Sequence, residues 1–66
     1  MAIEVGQRVK VRRLRDRVPA NIVAKIKENP IGTVDGFRMV DGSGVGVIVN
    51  FNGFATWFFE DELEPV

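Results

Sequence analysis

The stretch Gly46-Val47-Ile48-Val49-Asn50-Phe51, followed by Asn52-Gly53 and then by Phe54-Ala55-Thr56-Trp57-Phe58-Phe59, decides the fold. Two runs of β-branched and aromatic residues, joined by a dipeptide that tolerates positive φ, predict a β-hairpin. Four of the five Phe and the single Trp lie within 51–59, so a core built elsewhere would leave the largest apolar side chains in water. The hairpin is the expected nucleus of the core. It carries no reactive group, and that moves the question of function to surfaces.

Upstream of the hairpin, Ile31-Gly32-Thr33-Val34-Asp35-Gly36-Phe37-Arg38-Met39-Val40 has strand character, and its two glycines mark bends in a strongly curved strand. Asp41-Gly42-Ser43-Gly44 reads as the turn that follows. Downstream, Glu60-Asp61-Glu62 reads as a solvated acidic turn, and Leu63-Glu64-Pro65-Val66 as a brief last strand with Pro65 at an edge or end.

At the N-terminal side, Gln7-Arg8-Val9-Lys10-Val11-Arg12 alternates polar and apolar, as a strand with Val9 and Val11 inward must. Leu14 falls out of phase with Val11, which predicts a bulge or bend at Arg13-Leu14. Pro19 suits a first helical position, and Ile22, Val23 and Ile26 form one apolar stripe on a short helix that ends by Asn29-Pro30. About ten residues of helix are marginal alone, so the stripe must dock on the sheet and close one end of it. Five short strands with one short helix inserted after the first predict a mainly β, small SH3-like barrel spanning 1–66 as a single domain. A five-stranded barrel of the oligonucleotide-binding kind is the alternative, with strands that are usually longer.

Sixty-six residues suffice for one core that buries about 60% of the unfolded chain's surface. Absence of Cys excludes a disulfide framework and a thiolate metal site, and points to a reducing compartment. No apolar run reaches a membrane span, and Met1-Ala2-Ile3-Glu4-Val5 lacks the basic and apolar regions of a signal peptide, so a cytoplasmic chain is expected. With no His, Cys or Tyr, most general bases, nucleophiles and metal ligands are missing, and an enzyme is not expected. Gly42-Ser43-Gly44-Val45-Gly46 has no Lys-Ser/Thr after it and precedes a strand, so it is a hairpin connection rather than a phosphate loop. No catalytic residue, cofactor or metal site is predicted.

Net charge is zero, yet its distribution is polar. Residues 1–27 hold eight basic and two acidic residues, and residues 28–66 hold one basic and seven acidic. Either two oppositely charged surfaces result or one half neutralises the other within the fold. Arg8, Lys10 and Arg12 share one strand face, and Arg13, Arg15 and Arg17 extend the series into the following loop, where phosphates or carboxylates of a partner could meet several guanidinium groups. The neutral total and the lack of interleaved aromatics argue against nucleic acid, while a protein partner with an acidic face and an anionic membrane surface fit equally well. Trp57-Phe58-Phe59 cannot all point inward. With Phe58 in the core, Trp57 and Phe59 lie outside beside Phe54, either as an exposed contact patch or covered by the helix or the N-terminal segment. The residues expected to bind a partner are Arg13, Arg15, Arg17, Phe54 and Trp57.

Met1 to Gln7 with Val9-Lys10-Val11-Arg12-Arg13-Leu14-Arg15-Asp16-Arg17-Val18, then Gly32-Thr33-Val34, Asp41-Gly42-Ser43-Gly44 and Trp57-Phe58-Phe59-Glu60-Asp61-Glu62, resemble the PetP family, small peripheral subunits of the cyanobacterial and red-algal cytochrome b6f complex. The resemblance covers nearly the whole chain and is weakest from Pro19 to Asn29. It implies an SH3-like barrel without a cofactor, peripheral on the cytoplasmic side of the thylakoid membrane, with a regulatory or stabilising role in photosynthetic electron transport. The implied partners are subunits of that complex, with no small-molecule substrate, and the isolated chain is expected to be monomeric. The pattern Val-Gly-x-x-Val-x-Val, Gly-x-Val and Asp-Glu-Leu is also similar to the variable chain of ferredoxin-thioredoxin reductase, and a free nucleic-acid-binding barrel is a further alternative.

Overall fold

The computed structural model describes residues 3–14, 18–40, 42 and 44–66. Five strands, β1 (Arg8–Val11), β2 (Ile31–Val40), β3 (Gly44–Asn50), β4 (Ala55–Phe59) and β5 (Leu63–Pro65), form one antiparallel sheet in the order β4-β3-β2-β1-β5. A helix, α1 (Ala20–Glu28), is inserted between β1 and β2, and a 3-10 turn (Glu60–Glu62) joins β4 to β5.

That turn forces the sheet to curl. β4 and β5 are opposite edges, and in a flat sheet of five strands they would stand about 19 Å apart. The four steps from Phe59 to Leu63 span at most about 14 Å even fully extended. The sheet therefore rolls into a partly open barrel, not closed by hydrogen bonds between β4 and β5, with dimensions of 26 × 24 × 19 Å.

The nucleating hairpin forms as its residues dictate. Asn52 at φ 55° and Gly53 at φ 124° make a two-residue turn, closed by the Phe51 N–H donating to the Phe54 carbonyl at 2.7 Å. Register then runs from Asn50 opposite Ala55 to Gly46 opposite Phe59. Strand β2 bends where expected, through a register shift between Val34 and Gly36. Gly32 sits against β3 so closely that a Cβ would stand 2.6 Å from Val49 Cγ1 and 2.8 Å from the Asn50 carbonyl oxygen.

Val9, Val11, Val34, Val47, Val49, Phe51, Phe58 and Leu63 fill the barrel, together with Ile3 and with Ile26 from α1. Leu14, Val18, Ile22 and Phe54 pack on that core, so the helix closes one end. Pro19 is the residue before the helix rather than its first residue, and its ψ of 148° is the extended entry that a preceding loop needs. At Leu14 there is no bulge. Strand β1 ends at Val11, and the Val11 N–H turns to the Pro30 carbonyl at 2.9 Å.

The acidic turn is not fully solvated. Glu62 is 0% exposed, its side-chain Oε1 accepts the Phe59 N–H at 2.7 Å, and its carbonyl accepts the Arg12 N–H at 2.8 Å. A short turn between strands at opposite edges leaves its donors facing inward, and Glu62 is the side chain that reaches them.

Candidate functional site

Two edges of the basic half meet beside the helix. Just past β1, Arg12 and Arg13 are exposed, while Lys25 and Lys27 occupy the last turn of α1, where the helix dipole favours cations. Ile26 points into the core, which turns its neighbours Lys25 and Lys27 toward solvent on either side of it. Arg12, Arg13 and Lys27 rim a concavity of about 190 Å³ whose floor is Val11, Leu14, Ile26 and Pro30. Among the described residues its lining holds no acidic side chain. Backbone bonds from Val11 to Pro30 and from Arg12 to Glu62 hold the rim in place.

Lys25 belongs to a second concavity, of about 350 Å³, shared with Glu28, Asn29 and the Phe51–Phe54 turn. Its Nζ lies 5.3 Å over the Phe54 ring. Phe54 in turn stacks on Phe51 at 5.4 Å and 21°, and Phe51 meets Phe58 edge-on at 6.0 Å. Phe54 is thus half-buried as an outlying part of the core.

A third surface lies on the outer face of the sheet. Trp57 and Phe59 pack edge to face at 5.1 Å, and the Arg38 guanidinium lies 5.9 Å from the Trp57 ring centre. Gly46 stands opposite both Arg38 on β2 and Phe59 on β4. Trp57 lines a concavity of about 230 Å³ with Arg38, Ile48, Ala55 and Thr56. The Trp is half-buried, and neighbours on its own sheet face supply cover.

Of the residues expected to act together, Arg13, Phe54 and Trp57 therefore face three different concavities. Arg13 and Phe54 are related through α1, which walls both of their concavities, whereas Trp57 stands on the outer sheet face. Arg15 and Arg17 lie outside the described residues. What sequence reasoning left out is Lys27, which the helix carries to Arg12 and Arg13 although they are separated by more than a dozen residues in the chain. The oppositely charged halves do meet at the terminal strands, where Lys10 stands directly opposite Glu64.

One apolar surface was also not foreseen. Beyond the reach of β1, the β2–β3 hairpin leaves Phe37, Met39 and Val45 at 46%, 80% and 51% exposure. Among the described residues no group of three or more acidic side chains is placed to hold a metal ion, and no helix is long and apolar enough to cross a membrane.

A family profile described as "Cytochrome b6f, subunit Tsr0524-like" matches residues 5–64. The chain belongs to this family of cytochrome b6f subunits. The solution structure of the cyanobacterial cytochrome b6f complex subunit PetP is 52% identical, superposes with a TM-score of 0.78, and is matched over 97% of this chain and 80% of that one. No curated protein sequence matches. Membership in the b6f subunit family selects the accessory-subunit reading over a free nucleic-acid-binding barrel or a reductase chain.

Proposed function

We propose that this b6f subunit is a non-catalytic accessory protein that works by docking on the complex at the cytoplasmic face of the thylakoid membrane, where it is held peripherally. The observation that carries the reading is the family match over residues 5–64, joined to a surface beside α1 where Arg12, Arg13 and Lys27 rim one concavity. Docking through Arg13, Arg15, Arg17, Phe54 and Trp57 places the basic loop and the end of α1 at the contact, with Trp57 engaging a second part of a partner that wraps the barrel. Arginine suits this task because its fork binds carboxylates in a fixed geometry. The isolated subunit is a monomer, and it takes no cofactor or small-molecule substrate.

The test is co-purification with the complex from solubilised thylakoid membranes. Arg13→Glu combined with Arg15→Glu abolishes it while the isolated domain keeps its β-rich circular dichroism. Unchanged co-purification refutes docking through the basic loop. A salt-sensitive mobility shift with RNA or DNA would instead favour a nucleic-acid partner.

A further inference from the structure

We infer that the concavity between the end of β1 and the last turn of α1 is a receptor for an acidic partner segment that carries a single aliphatic anchor, with carboxylates on both sides of it. The inference rests on the docking reading and names the chemistry of the segment that docks.

Charge complementarity sets the flanks. Arg12, Arg13 and Lys27 surround the opening, and no acid stands among the described lining residues, so the rim presents positive charge to a partner carboxylate. Apolar chemistry sets the centre, since Val11, Leu14, Ile26 and Pro30 form the floor. At about 190 Å³ the cavity falls below the roughly 300–1,000 Å³ of sites for whole small molecules, and it suits one side chain.

Concavity also separates a peptide from a lipid surface. A membrane is planar on this scale and would touch the three cations while leaving the floor uncovered, whereas a side chain projecting from a peptide reaches it. The rim is already held by the Val11–Pro30 and Arg12–Glu62 backbone bonds, so little ordering is required when the segment binds.

The experiment titrates the 15N-labelled full chain with the peptide acetyl-Glu-Glu-Leu-Glu-Glu-amide and follows backbone amide shifts. Saturable shifts concentrated at Arg13, Leu14, Ile26 and Lys27 are expected. Replacing the peptide's Leu by Ala weakens binding about tenfold or more, from the lost burial of the anchor. The Arg12→Glu, Lys27→Glu variant loses binding by about tenfold or more, with the shifts of core amides retained as the check that it is folded.

Equal binding of the Leu and Ala peptides would overturn the anchored site. So would shifts spread evenly over Arg8 and Lys10, or binding to phosphatidylglycerol vesicles with no saturable response to the peptide. The titration uses the isolated chain, so its failure leaves co-purification untouched, and failure of the docking reading appears in co-purification alone.

Discussion

Gly32 shows how one atom limits this barrel. Its α-carbon lies against β3, and a methyl group there would meet the Asn50 carbonyl, which is backbone and cannot rotate away. Gly32→Ala is expected to destabilise by about 1–3 kcal/mol in chemical denaturation, as overpacked sites do. Gly36 has nothing nearer to a new Cβ than Ile48 Cδ1 at 4.0 Å, so Gly36→Ala should stay within about 0.5 kcal/mol of the parent. Equal losses at the two glycines would show that strand propensity, rather than close approach, governs both. Glu62 is the second such residue. Glu62→Ala strands the Phe59 N–H in the interior and should cost about 1–3 kcal/mol, while Glu62→Gln, which keeps an acceptor of the same reach, should cost less. If Gln proves as damaging as Ala, the acceptor for Phe59 is not what the fold needs from this position. The buried role of Glu62 is not legible in the string Glu60-Asp61-Glu62, because three adjacent acids look alike until the turn aims one of them inward.

Among the elements, the β3–β4 hairpin is the most legible. The alternation around Asn52-Gly53 states both its turn and its register, and Val47, Val49, Phe51 and Phe58 all enter the core as the pattern requires. Its dependence on backbone conformation is testable. Gly53 sits at φ 124°, so Gly53→Ala should lower stability by about 1–2 kcal/mol and the melting temperature by roughly 4–8 °C per kcal/mol. An unchanged melting temperature would mean that the turn relaxes without cost. The helix was legible as an amphipathic segment that ends near Asn29 and closes one end of the sheet, but not as the wall of two concavities. Its stripe told which side docks, and only docking brought Lys27 beside Arg12 and Lys25 over Phe54. The aromatic strand divided as pleating demands, with Phe58 inside and Trp57 and Phe59 outside, yet Phe54 followed the core rather than joining Trp57. Phe54 precedes the strand and pairs across the turn with Phe51, and that contact outweighs adjacency in sequence.

Over the whole molecule, the charge asymmetry is partly resolved inside the fold. Strands β1 and β5 lie side by side and set Lys10 opposite Glu64, both exposed. Exposed pairs of this kind couple weakly, so a double-mutant cycle on Lys10→Ala and Glu64→Ala should return less than about 1 kcal/mol. A larger coupling would make the terminal strands' charges a main support of barrel closure. Beside α1, Arg12, Arg13 and Lys27 gather on one exposed rim in a chain whose family is described as a cytochrome b6f subunit.

The alternation of polar and apolar residues and the turn chemistry were enough to state a small β barrel with one helix, because each is a local property carried by neighbours in the chain. Which cations converge, which carboxyl group is buried, and where the aromatic rings go depended on curling. A three-residue turn that must join opposite edges of a sheet brings together residues that no sequence spacing relates.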